Sequence, residues 1–73
     1  MSFLDEVIEE AEAAVKKHGQ YNSLHEAFGV MLEEVEEFWD EVKLKRSKRS
    51  KKRIRAELKQ IAAVCLKTAE KFT

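Results

Sequence analysis

The chain has 73 residues, a formal net charge of zero, no proline, two glycines and a single cysteine. A domain this short buries only about 60% of the surface that its unfolded form exposes, and one thiol, Cys65, excludes the internal disulfide by which many small domains compensate. No Cys/His grouping offers structural zinc, no apolar run approaches the roughly 20 residues that span a bilayer, and a chain rich in Ala, Glu, Lys and Leu with few turn residues is not a sheet protein.

What remains is an all-α protein of three amphipathic helices, one domain over residues 1–73. It is expected to bury its apolar surface by assembling into a dimeric or tetrameric helical bundle. Met1-Ser2-Phe3-Leu4-Asp5 lacks the basic region of a signal peptide. With the lone thiol, this points to the cytoplasm.

Helix 1 is expected over about residues 3–17. Ser2 and Asp5 have the spacing of a capping box, and Leu4, Val7, Ile8, Ala11, Ala14 and Val15 recur at three- and four-residue steps. His18-Gly19 is a C-terminal stop, with glycine free to turn left-handed. Ser23 with Glu26 forms a second capping box and opens helix 2, about residues 24–45. Its apolar stripe includes Phe28, Met31, Leu32, Val35, Phe38 and Trp39. The basic stretch Arg46 to Lys52 repels itself and reads as a short or frayed junction. Helix 3 follows over about residues 51–72, with Ile54, Leu58, Ile61, Cys65, Ala69 and Phe72 along its stripe. On that stripe, Cys65 is expected to be a buried, inert thiol.

Charge is divided sharply. Residues 1–42 hold twelve acids and two lysines, for −10, and residues 43–73 hold twelve Lys/Arg and two acids, for +10. Simple neutralisation between helices is the plain reading. An acidic site for cations beside a basic zone for phosphates is the sharper one. The nine basic residues from Lys43 to Arg55 lack interleaved aromatics, so nucleic-acid binding ranks below phosphate steering and below a solvated junction.

The acids of helix 2 do not all point one way. At about 100° per residue, Glu33, Glu36 and Asp40 fall opposite the apolar stripe and should be solvated. Glu34, Glu37 and Glu41 form a separate row bracketed by Val30 and Leu44. That row should lie at the edge of a helix–helix interface. Helix 3 carries Glu57 and Gln60 beside its own stripe, with Arg53, Lys67 and Lys71 on the same flank. If helices 2 and 3 pack antiparallel, Glu34, Glu37 and Glu57 can share one metal with Gln60 nearby. Magnesium suits such oxygen ligands, and the adjoining cations suit phosphate oxygens. A Glu-rich face taken alone is ordinarily only solvated. Two acid-bearing flanks facing each other raise the metal reading to parity with it.

At these residues the sequence resembles the MazG-type all-α nucleoside-triphosphate pyrophosphohydrolases. That family pairs Glu-Glu-x-x-Glu on one helix with Glu-x-x-Asp on the next. The first motif is matched by Glu33-Glu34-Val35-Glu36-Glu37 and the second by Glu57-Leu58-Lys59-Gln60. Small phage-like members also resemble this chain at Asn22-Ser23-Leu24-His25-Glu26, Phe38-Trp39-Asp40-Glu41-Val42 and Glu57-Leu58-Lys59-Gln60-Ile61-Ala62-Ala63-Val64. The resemblance covers about residues 20–72. It implies hydrolysis of a (deoxy)nucleoside triphosphate to monophosphate and pyrophosphate, with magnesium, or manganese in its place. It also implies that Glu34, Glu37 and Glu57 are metal ligands and Glu33 an additional or supporting carboxylate. Gln60, a fourth candidate metal ligand through its side-chain carbonyl, stands where the wider family has aspartate, and the lost charge should weaken metal binding. Arg53, Lys67 and Lys71 are candidate phosphate partners. Trp39 is a candidate stacking residue, though core or interface is the commoner place for a helical tryptophan. Asn22 is a candidate for the base pocket, with a plain turn role equally open. The alternative is a non-catalytic dimerisation module on the same scaffold.

Overall fold

The computed structural model describes all residues, Met1–Thr73, as three α-helices with no strand: α1 (Phe3–His18), α2 (Leu24–Val42) and α3 (Lys51–Phe72), with a 3-10 turn at Arg46–Lys48. Local chemistry sets each boundary. At the start of α1 the Ser2 hydroxyl accepts the Asp5 N–H, and the Asp5 carboxylate accepts the Ser2 N–H, which completes the capping box. Gly19, at φ 77°, ends the helix in a conformation that only glycine adopts freely, and its N–H closes on the Val15 carbonyl. Ser23 caps α2 by accepting the Glu26 N–H at 3.0 Å. The Glu26 carboxylate does not return to Ser23, however. It accepts from the Asn22 side chain and backbone instead.

Helix α2 stops at Val42, three residues before the expected 45. Arg49 folds back on its end, and its guanidinium donates to the Val42 and Leu44 carbonyls at 2.6 and 3.2 Å. Those carbonyls would otherwise be unpartnered at a helix terminus. The junction expected to fray is therefore a defined turn. Its far side is held by Glu41, whose carboxylate accepts the Ser50 N–H and the Arg53 Nε–H at 2.8 and 3.0 Å.

Helix α3 lies in the middle. It packs on both α1 and α2, which do not touch each other. Residue pairing gives the directions. Glu6 meets Arg55 and Glu10 meets Gln60, so α1 runs parallel to α3. Glu41 meets Arg53, and Ala27 packs with Val64, so α2 runs antiparallel to it. The turn at residues 19–23 thus crosses over α3, and Tyr21 is buried there against Ala27 and Val64. The result is one flat layer. Its radius of gyration, 13.1 Å, exceeds the roughly 11 Å of a compact domain of this length.

Buried positions are Val7, Ala11, Tyr21, Ala27, Ala63 and Val64, with Glu41 and Lys67, and no large side chain is fully enclosed. On α2 the face toward α3 is Ala27, Val30, Glu34 and Glu41. Of the apolar stripe, Met31 packs against the buried cluster and Phe38 is half-buried, while Phe28, 65% exposed, and Trp39, 55% exposed, face outward together with Leu32 and Val35. Leu58 and Cys65 of α3 and Leu4 and Ile8 of α1 are exposed too. The buried inert thiol expected at Cys65 is corrected accordingly. Cys65 and Leu58 lie on the exposed part of the α3 stripe, while Phe72 at its end packs against the buried cluster.

Candidate metal centre and adjoining cavity

Glu34 and Glu37 stand three residues apart on α2, which puts both carboxylates on one side of the helix. Glu57 reaches them from α3. One oxygen from each of the three lies within 4.8 Å of the others. Glu34 and Glu57 are half-buried and Glu37 is exposed. Oε2 of Glu34 and Oε2 of Glu57 are shielded from solvent and lack any hydrogen-bond partner. An unpartnered buried carboxylate oxygen is costly.

The electrostatics record that cost. Burial pushes the Glu34 carboxyl up to about 7, and the negative charges of Glu37, Glu57 and Glu33 add to it. Burial raises Glu57 as well, followed by the charges of Glu37 and Glu41. Glu41, one turn further along the same row, goes the other way. Its hydrogen bond from Arg53 and that from the Ser50 N–H hold it below the usual carboxylate range. So the three-acid row predicted from sequence divides: Glu34 and Glu37 converge with Glu57 of α3, and Glu41 pairs with Arg53. An all-oxygen set with two orphaned oxygens fits a hard divalent cation such as magnesium.

Beside the trio lies a cavity of about 540 Å³. Its floor is α3, its walls are α1 and the first turns of α2, and Tyr21 lies at the turn end. Glu34 lines it as well as belonging to the trio. Lys67, only 5% exposed, lines it with its ammonium 4.1 Å from the centre of the Tyr21 ring. Lys67 makes no ion pair. Burial and the charges of Glu34 and Glu26 raise the Tyr21 hydroxyl, which therefore stays protonated as a donor.

The other residues singled out from sequence are scattered. Glu33 is exposed and outside the trio, close enough for its charge to act on Glu34. Gln60 lines the cavity and donates its amide N–H to Glu10. The Arg53 guanidinium is taken up by Glu41 and the Lys48 carbonyl. Lys71 is exposed and does not line the cavity. Trp39 stands on the outward stripe, and Asn22 serves the α2 cap through Glu26. Sequence reasoning overlooked Glu10, because it confined the site to helices 2 and 3. The available signal was that Glu10 adjoins Val7, Ala11 and Ala14 on the packing side of α1. No family model, curated protein or solved structure matches this chain.

Proposed function

We propose that the protein is a magnesium-dependent nucleoside-triphosphate pyrophosphohydrolase, cleaving between the α- and β-phosphates to release pyrophosphate. The observation that carries this reading is the convergence of Glu34, Glu37 and Glu57 within 4.8 Å, with two carboxylate oxygens buried and unpartnered. These three residues would hold the ion, which supplies charge neutralisation for the phosphate chain and Lewis acidity. Glu33, exposed next to Glu34 and outside the trio, would accept a proton from the attacking water. Lys67 offers a cation inside the cavity that opens from the trio. Gln60 is occupied with Glu10, which leaves the cation to three carboxylates.

The outward apolar faces of the three helices support self-association, as a homodimer or homotetramer. They serve equally the second reading, a non-catalytic dimerisation module. The test is incubation with a nucleotide panel and magnesium. Pyrophosphate release that disappears in Glu37→Ala and Glu57→Ala is the expected result. No release, with no magnesium-linked rise in melting temperature, leaves the dimerisation module.

A further inference from the structure

The pyrophosphohydrolase reading leaves one pair in the cavity without a role. Gln60, on the floor, donates its amide N–H to Oε1 of Glu10, on the α1 wall. That bond uses one of the two N–H groups of the amide. What the pair has left are two acceptor oxygens, the Gln60 carbonyl and Oε2 of Glu10, neither of which accepts a hydrogen bond from the protein, and the second amide N–H. This part of the wall therefore offers acceptors in excess of donors, and one of the acceptors is a carboxylate. It asks for a ligand that brings hydroxyl or amino donors.

Position along α3 narrows the choice. Glu57, Gln60 and Lys67 follow one another on the helix, at about 1.5 Å per residue. Gln60 is therefore about 5 Å beyond the carboxylate trio and Lys67 about 10 Å further. A nucleoside triphosphate with its phosphates on the trio reaches Gln60 with its sugar, and Lys67 and Tyr21 with its base. The volume is that of an ordinary small-molecule site. At the far end the nine-tenths-buried Lys67 ammonium, unpaired with any acid, supplies a donor for ring nitrogens or carbonyls.

We propose that the Glu10–Gln60 pair is the sugar-recognition element of the site, accepting hydrogen bonds from the 2′- and 3′-hydroxyls of ribose. This rests on the pyrophosphohydrolase reading and makes ribonucleoside triphosphates the preferred substrates over their 2′-deoxy counterparts. A carboxylate with a neighbouring carbonyl takes two adjacent hydroxyls. A 2′-deoxyribose leaves one acceptor desolvated and unpaired, and hydrogen bonds to charged groups are the strong ones. The same logic makes sites built to bond a hydroxyl reject the analogue that lacks it.

The experiment compares ATP, dATP and 2′,3′-dideoxy-ATP with magnesium, by pyrophosphate release and by calorimetry of the corresponding monophosphates. Wild type is expected to favour ribose by roughly tenfold or more in both measurements. Glu10→Ala and Gln60→Leu, shown to be helical by circular dichroism, should bring the ratio close to one while the magnesium-linked melting shift persists. Glu36→Ala, in a solvated acid, should leave the ratio as in wild type. Equal handling of ATP and dATP by wild type, or a ratio indifferent to Glu10→Ala, overturns sugar recognition and leaves the pyrophosphohydrolase reading intact. Absence of both pyrophosphate release and any magnesium-linked shift overturns both.

Discussion

Glu34 ties the candidate centre to a measurable property of the metal-free protein. Its carboxyl is raised to about 7, by burial first and by Glu37 next, so the folded chain holds a proton that the unfolded chain releases near pH 4.5. Between those values the folded state binds more protons, and stability must fall as pH rises. Metal-free protein is therefore expected to melt higher at pH 6 than at pH 8. After allowing for solvent screening of a half-buried group, the difference is on the order of 1 kcal/mol, or about 4–8 °C for a chain of this size. Glu34→Gln should flatten that slope. Magnesium should reverse it, because the cation competes with the proton for the same oxygens. A melting temperature independent of pH over this window, followed by circular dichroism, would remove the reason for placing a cation here. Glu41 and Glu6 are lowered by their arginine partners. Their contributions persist above pH 4.5 and are lost only below it, outside the window that Glu34 governs.

At the scale of the helix, the caps and the carboxylate row were readable in advance, and the direction in which each helix faces was not. Ser2, Gly19 and Ser23 occupy terminal positions that follow from local chemistry, and the starts of α1 and α2 agree with them; α3 is capped by Ser50, where the sequence left Ser47 and Ser50 equally open. The row Glu34, Glu37, Glu41 separates from Glu33, Glu36 and Asp40 by helical geometry alone. The amphipathic pattern predicts apolar surface that one chain cannot cover, but not which side of each helix meets its neighbour within the chain. With Phe28, Val35 and Trp39 turned outward, Glu34 and Glu41 of the acid row lie on the inner face and Glu37 stays exposed. The early end of α2 had no simple local signal, since it depends on Arg49 returning from seven residues downstream. Ser23→Ala should cost about 1 kcal/mol as a lost N-cap, read by thermal melting. Glu41→Gln should loosen the α2–α3 turn, lowering the melting point at pH 7 and shrinking the loss of stability on acidification below about pH 4.5. An unchanged acid limb would show that Glu41 does not hold the junction.

The whole molecule is a layer with a cavity on α3 and exposed apolar stripes on all three helices, and a single copy encloses no large side chain completely. Melting temperature is accordingly expected to rise with protein concentration, as it does when folding and association are coupled. Phe28→Glu combined with Trp39→Glu should shift sedimentation toward monomer and lower the melting point. A sharp, concentration-independent transition at the mass of one chain would refute this. The central place of α3 also bears on synthesis. Since α1 and α2 touch only through α3, no interhelical contact of the finished layer exists until residues beyond 50 leave the ribosome. Up to that moment the emerging segment carries Leu4, Ile8, Phe28 and Trp39 with nothing to cover them. Its surplus of ten negative charges keeps such segments apart from one another by repulsion, and the basic second half arrives together with the helix that joins the other two.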